Sequence, residues 1–130
     1  MENIEHKHFI VMGKMKSILS VDEVTTFLES LIVLLDMKKM EAIMPNPNVG
    51  YQSGTNGGVT GVAIITTSHL AIHTWDNTLE FQLDVYSCKE YNVSLVIELL
   101  KDYGLELSDW KLFDRKYQIT EEYRYNGKGH

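Results

Sequence analysis

A hydroxyl, imidazoles and the chain's single thiol fall within one stretch, GVTGVAIITTSHLAIHTWDNTLEFQLDVYSC, running from Gly58 to Cys88. Ser68, His69, His73 and Cys88 are residue types that serve as nucleophile, proton carrier and proton donor. Taken singly, each has an ordinary explanation: a serine in a turn, a satisfied strand histidine, a cysteine acting as a small buried hydrophobe. Their chemistry depends on which of them the backbone gathers.

The stretch reads as three short strands. Gly58 to Thr67 carries Val59, Val62, Ile64 and Ile65, a β-branched run suited to a buried strand, and an unbroken strand would put Thr60 and Ser68 on one face. Next, His69, Ala71, His73 and Trp75 point one way and Leu70, Ile72 and Thr74 the other. After the turn-like Asp76-Asn77-Thr78, Glu80 to Cys88 alternates, with Phe81, Leu83 and Val85 on one face and Gln82, Asp84, Tyr86 and Cys88 on the other. Cys88 is thus expected among polar groups, while Trp75 and Tyr86 read as packing groups.

The flanking chain must supply a core to hold these strands. His8 to Met12 predicts a first strand with His6 and His8 on one face. Two such histidines could bind a metal, but no third ligand is fixed nearby in sequence, and no metal is expected. Ser20-Val21-Asp22-Glu23 is a capping box, and Val21, Val24, Phe27, Leu28, Leu31, Ile32 and Leu35 form the apolar stripe of the helix that follows. Met40 to Met44 predicts a short strand ended by Pro45 and Pro47. Asn46 to Gly58, rich in Asn, Gly, Ser and Pro, predicts a flexible surface loop, either a plain connector or the rim of a pocket leading to Ser68. It contains no glycine-rich phosphate motif. Asn92 caps a second helix with Val93, Val96, Ile97 and Leu100 on one face, and Gly104 ends it. Trp110 to Tyr117 is the last expected strand, and the tail from Thr120 is expected to fray.

This order implies one α+β domain over residues 1–130, an antiparallel sheet with both helices on one face. The uncovered face is expected to carry Ser68, His73 and Cys88, and a second copy is the natural cover. The net charge of −6 and the scattered Lys14, Lys16, Lys38 and Lys39 argue against a nucleic-acid surface. No long apolar span or signal-like start appears, so no membrane partner is expected. One cysteine cannot close an intrachain disulfide, and a cytoplasmic protein is the expectation.

The segments Gly58-Val59-Thr60-Gly61, Thr67-Ser68-His69-Leu70-Ala71-Ile72-His73-Thr74-Trp75 and Leu83-Asp84-Val85-Tyr86-Ser87-Cys88 together resemble the prokaryotic S-adenosylmethionine decarboxylase proenzymes, pyruvoyl enzymes of polyamine synthesis. The resemblance is strong in this central third and continues more weakly on either side. It implies a two-layer sandwich, a homodimer with active sites near the interface, and self-cleavage between Thr67 and Ser68 into a β chain, 1–67, and an α chain, 68–130. Ser68 would become a pyruvoyl group that forms a Schiff base with a small-molecule substrate and acts as the electron sink for decarboxylation. His73 matches the family's base in processing, Cys88 its proton donor, and Thr60 stands where the family has a serine assisting the acyl shift.

The chain departs from the family at several positions. Thr67 replaces a glutamate before the processed serine. Trp75-Asp76-Asn77 replaces a Trp-Pro-Glu whose glutamate binds the ribose hydroxyls, leaving Asn77 or Asp76 as the substrate-binding candidates. No clear aromatic precedes Gly58, and Tyr51 is the nearest. Three readings stay open: S-adenosylmethionine decarboxylase feeding spermidine synthesis, a pyruvoyl decarboxylase of arginine or ornithine, and a non-processing regulatory partner.

Overall fold

The computed structural model describes residues 4–40 and 43–124. The strands are β1 (Lys7–Met15), β2 (Asn48–Gln52), β3 (Gly58–Ile65), β4 (Ser68–Trp75), β5 (Glu80–Ser87), β6 (Leu105–Asp114) and β7 (Thr120–Arg124), with helices α1 (Val21–Leu34) and α2 (Val93–Asp102). The strands form one sheet in the order β2-β3-β4-β5-β1-β6-β7, and every neighbouring pair is antiparallel. No helix among the described residues is long and apolar enough to cross a membrane.

Local sequence explains both helices. The Ser20 hydroxyl accepts from the Glu23 N–H at 3.1 Å and the Glu23 carboxylate accepts from the Ser20 N–H at 3.0 Å, the expected capping box. The stripe of α1 then buries Val24, Phe27, Leu28, Leu31 and Ile32. In α2, Asn92 accepts from the Ser94 N–H, and Gly104 follows the helix at φ 73, where a side chain would be strained. Against these helices lie Phe9, Val11, Val59, Ala63, Leu70, Ile72, Phe81, Leu83 and Val85, all in one core. Each large apolar side chain so buried contributes about 1.5–3 kcal/mol before conformational entropy is counted. The opposite face carries Met12, His73, Gln82, Asp84 and Tyr86 and has no layer over it. The expected two-layer arrangement is therefore present.

Four expectations change in detail. In place of a strand over Met40 to Met44 there is an isolated bridge between Lys39 and Ile65, followed by a turn in which Met44 N–H donates to Met40 O; residues 41 and 42 lie outside the described residues. The expected loop from Asn46 contains β2, an exposed edge strand paired with β3. The last expected strand begins earlier, at Leu105, and ends at Asp114. A bulge explains the difference: Met12 faces Asp109 but Gly13 faces Leu107, so Ser108 is an extra residue and the apolar parity shifts between Leu107 and Trp110. Finally, Thr120–Arg124 is a paired strand, and Glu121 and Glu122 meet Lys111 and Lys7. The remainder of the expected fraying tail, 125–130, lies outside the described residues.

Candidate functional site

The cleavage-type motif sits on a two-residue hairpin. Ile65 pairs with Ser68, so Thr66 and Thr67 form the turn, with Thr67 at φ 51. A β-branched residue seldom occupies this left-handed region, and tertiary contacts hold it there. Thr66 is anchored through its N–H and its hydroxyl, both donating to Lys38 O at 2.9 and 3.1 Å. The turn breaks the strand that an unbroken reading requires, so Ser68 does not share the face of Thr60. It takes the parity of Leu70 and Ile72, points away from His73, and is only 6% exposed.

Cys88 closes over the same turn from the end of β5. Its N–H donates to Ser68 Oγ at 2.9 Å, and its thiol lies 2.7 Å from the Thr67 hydroxyl and 3.6 Å from Thr66 O. Its carbonyl accepts from the Glu5 N–H, which fixes its position. Thr67, Ser68 and Cys88 thus form one cluster, although their separation in sequence reaches two strands. A pyruvoyl group, which the resemblance implies, would be made from the Ser68 hydroxyl; the bond before that residue lies in a strained turn and a thiol stands beside both, so these residues fit that group.

Thr60 and His73 form a separate cluster. They are cross-strand partners, and the Thr60 hydroxyl lies 3.1 Å from His73 Nδ1. Two glycines set this register: a Cβ on Gly58 would lie 1.8 Å from Thr74 O, and one on Gly61 would meet Leu28 of α1 at 2.9 Å. Five residues of extended β4 separate His73 from Ser68, about 16 Å at ~3.3 Å per residue. A single chain therefore does not bring the hydroxyl–imidazole pair to the Thr67–Ser68 bond, and the expectation that Ser68 and His73 share the open face is corrected.

The substrate-binding candidates also divide. A cleft of about 200 Å³ at the β4–β5 turn is lined by Asn56, Trp75, Asn77, Thr78, Glu80 and Gln82. Asn77 belongs to it. Tyr51 and Asp76 do not: they lie near one another, and the Asp76 carboxylate raises the pKa of the Tyr51 hydroxyl, while Asp76 Oδ1 is buried without a hydrogen-bond partner. A larger cleft of about 460 Å³ crosses β5, β1 and β6 and includes Met12, Gln82, Asp84, Asp109 and Trp110. Gln82 lines both.

Sequence reasoning missed a group between the two clusters. His6 Nδ1 lies 2.7 Å from the Tyr86 hydroxyl, Arg115 stacks over the Tyr86 ring at 4.8 Å, and the His69 and Tyr86 rings are 5.5 Å apart. His8 Nε2 is 3.6 Å from Asp84 Oδ2. The His8 imidazole holds the Asp84 carboxyl below the usual carboxylate range, against the burial that raises it. Crowding out of solvent, then the proximity of His8, lowers the pKa of His69. Alternation within each strand puts His8, His69 and Tyr86 on defined faces, but the β1–β5 and β4–β5 pairings make them neighbours. No group of three or more His, Cys, Asp and Glu gathers at metal-binding distance among the described residues.

A family model described as S-adenosylmethionine decarboxylase matches residues 12–113. Among curated proteins, the S-adenosylmethionine decarboxylase proenzyme of Syntrophomonas wolfei is 40% identical over 65 residues, covering 43% of this chain and 52% of its own length. That of Moorella thermoacetica is 37% identical over 67 residues, covering 45% and 54%. The arginine decarboxylase proenzyme of Caldivirga maquilingensis is 40% identical over 42 residues, covering 32% and 31%. The matches thus span about half the length of the first two relatives. The crystal structure of the adenosylmethionine decarboxylase from Aquifex aeolicus aligns with a TM-score of 0.58 at 20% identity, over 94% of this chain and 98% of that one, and has the same fold.

Proposed function

The chain belongs to the S-adenosylmethionine decarboxylase family, and on that premise we propose that it is a pyruvoyl-dependent decarboxylase that cleaves itself between Thr67 and Ser68. Its proposed substrate is S-adenosylmethionine, whose decarboxylated product is the aminopropyl donor for spermidine, and its proposed working form is a cytoplasmic homodimer. The observation that carries this reading is Cys88 touching both residues of one bond, Ser68 Oγ through its N–H and the Thr67 hydroxyl through its thiol.

The chain's own residues account for the cleavage chemistry. Ser68 Oγ attacks the Thr67 carbonyl carbon, the C–N bond is exchanged for a C–O ester, and the amine of residue 68 is freed. Removal of the Ser68 α-proton expels the Thr67 carboxylate, and water then replaces the nitrogen, which leaves as ammonia. The Cys88 N–H, already aimed at Ser68 Oγ, stabilises the negative charge that develops there. The strained Thr67 conformation is released as its acyl group moves. A ketone carbonyl at residue 68 supplies the electron sink that decarboxylation requires. Cys88 stands beside the same position and serves as the donor that returns a proton.

His73 and Thr60 enter this scheme from a second copy. About 16 Å of strand separates them from their own Ser68, but two open faces packed about a two-fold axis set opposite strand ends against each other. The hydroxyl–imidazole pair of one chain then serves the Thr67–Ser68 bond of the other, reached through the exposed Thr66–Thr67 turn because the Ser68 side chain itself faces the helices. Co-expression tests this. Ser68→Ala and His73→Ala chains each remain uncleaved alone; expressed together, the His73→Ala chain is cut, as read by intact mass. Failure to cut in a demonstrated mixed dimer would refute action between copies. If the unaltered chain itself remains whole, the regulatory-partner reading replaces the enzyme.

Arginine is the second substrate reading, favoured by Asn77 in the cleft where a carboxylate would bind ribose, and ornithine belongs to the same reading. Product formation from each substrate by cleaved protein decides among them.

A further inference from the structure

Cleavage between Thr67 and Ser68 would undo contacts that hold Cys88. Ser68 Oγ, which accepts the Cys88 N–H, leaves with the Thr67 carboxylate, and Thr67, whose hydroxyl lies 2.7 Å from the thiol, becomes the free end of the β chain. The backbone at Cys88 keeps other supports. Its carbonyl accepts from the Glu5 N–H at 2.8 Å, and the buried Ser87 hydroxyl accepts from Lys89 N–H and donates to Lys89 O, both at 3.0 Å. The thiol, in contrast, meets the Thr67 hydroxyl and, at 3.6 Å, Thr66 O. Its direction therefore depends on where the new end of the β chain stays.

That end is held by the loop that leaves α1. Leu35 caps the helix, Asp36 turns the chain at φ 54, and Lys38 O accepts both the N–H and the hydroxyl of Thr66. Lys39 bridges to Ile65 and Met40 N–H donates to Ile64 O at 3.3 Å, while Lys39 Nζ returns to Glu29 of α1 at 2.8 Å. Lys89 reaches the same loop from the end of β5: its Nζ donates to Asp36 O at 2.9 Å and to Asp36 Oδ2 at 3.3 Å. The last turn of α1 carries no basic residue, so a cation from another element meets its carbonyl end. The loop belongs to the β chain, whereas Cys88 and Lys89 belong to the α chain. It thus holds the residue before Thr67 and is held by the residue after Cys88.

We propose that Lys89 is a positioning residue for the Cys88 thiol: by tying the Asp36–Lys39 loop to the end of β5, it keeps the Thr66–Thr67 chain end against that thiol after the bond to Ser68 is gone. In the uncleaved chain the peptide bond itself does this, so the tie matters only afterwards. The Lys89 side chain is half exposed and that of Asp36 almost fully so, and their contact therefore adds little to the stability of the fold. Its consequence is placement. This inference rests on the decarboxylase reading and is independent of how two copies pack.

The test compares the native protein, Lys89→Ala and Lys89→Arg, each allowed to cleave, with the same three in the uncleaved Ser68→Ala background. Intact mass follows cleavage, iodoacetamide labelling reports the accessibility of Cys88, the chain's single thiol, and decarboxylation is assayed with S-adenosylmethionine, arginine and ornithine. Lys89→Ala is expected to cleave at the native rate. An exposed tie shifts the population of the held arrangement by a modest factor, so after cleavage its thiol is expected to label about three- to fivefold faster than native. Its kcat is expected to fall by a similar factor at unchanged KM. Lys89→Arg, which still donates to a carbonyl and a carboxylate, is expected to restore both. In the Ser68→Ala background all three are expected to label alike, whereas a merely structural role would speed labelling there as well. Native labelling and native kcat in cleaved Lys89→Ala, or equally faster labelling in the uncleaved chain, overturn the inference alone. A native chain that stays whole, or that decarboxylates none of the three substrates, overturns the decarboxylase reading and this inference with it.

Discussion

Replacing Thr67 by glycine isolates the strain stored at the proposed cleavage bond. Thr67 has φ 51, a region that costs an L-residue roughly 1–2 kcal/mol. Glycine removes that cost, but its freer unfolded chain returns about 0.5–1 kcal/mol. In the uncleaved Ser68→Ala background the net gain is about 0.5–1 kcal/mol, or a rise of about 2–5 °C in Tm for a domain of this size. Loss of the Thr67 hydroxyl contact with the Cys88 thiol works against that gain, and Thr67→Asn, which tolerates the same backbone region and keeps a polar side chain, controls for it. With Ser68 present, strain relieved during the acyl shift lowers the barrier. Removing it beforehand slows cleavage about 5- to 30-fold for about 1–2 kcal/mol. Intact mass spectra of aliquots taken after synthesis give the rate, and melting of the Ser68→Ala pair gives the stability. A Tm that rises as calculated, with an unchanged cleavage rate, would show that strain at Thr67 does not drive the reaction.

Two further substitutions separate the roles of neighbouring groups. Cys88→Ala keeps the backbone N–H that meets Ser68 Oγ but loses the thiol, so it is expected to cleave and then to release little decarboxylated product; a fully active variant removes Cys88 as proton donor. Asp84 has its carboxyl pKa lowered from 3.8, chiefly by His8. A depressed carboxyl pKa stabilises the fold above the unfolded value and loses that contribution as pH falls through the folded one, so native protein and Asp84→Asn are expected to differ in urea midpoint at about pH 5 and to converge as pH falls through the lowered Asp84 pKa. The difference is small because the Asp84 side chain is half exposed, and a gap that persists in acid contradicts the His8–Asp84 assignment.

The helices and the three central strands were legible because their signals are local: the Ser20–Glu23 box, the stripe from Val24 to Ile32, and strict alternation from Phe81 to Val85. The departures share a cause, which is structure held by distant partners. Threonine is a poor turn former at positive φ, so Thr66-Thr67 reads as continuing strand; the carbonyl of Lys38 holds the turn from 28 residues away. β2 is an exposed edge strand with few apolar positions, and β7 is entirely exposed, supported by its ladder to β6 and by charge pairs such as Lys7 with Glu122 at 2.6 Å. Neither offers an apolar period to read. Residue types at the site were legible from Ser68, His73 and Cys88; their distances were not, since the turn sets Ser68 on the opposite parity from His73.

That parity bears on how the site works. A motif compact in sequence is extended in space when it lies on a strand, and Ser68 and His73 cannot meet within one β4 however their side chains rotate. Cys88 is twenty residues from Ser68 yet hydrogen-bonded to it, because antiparallel pairing of β4 and β5 returns the chain to the same end of the sheet. One end of the sheet therefore holds the bond and the thiol, and the other holds the imidazole, the Thr60 hydroxyl and the cleft at the β4–β5 turn. In the proposed dimer, two-fold packing of the open faces would join unlike ends twice over, giving two complete sites from one kind of chain. On this geometry, the surface that the helices leave uncovered and the chemistry that one chain lacks have the same solution, a second copy.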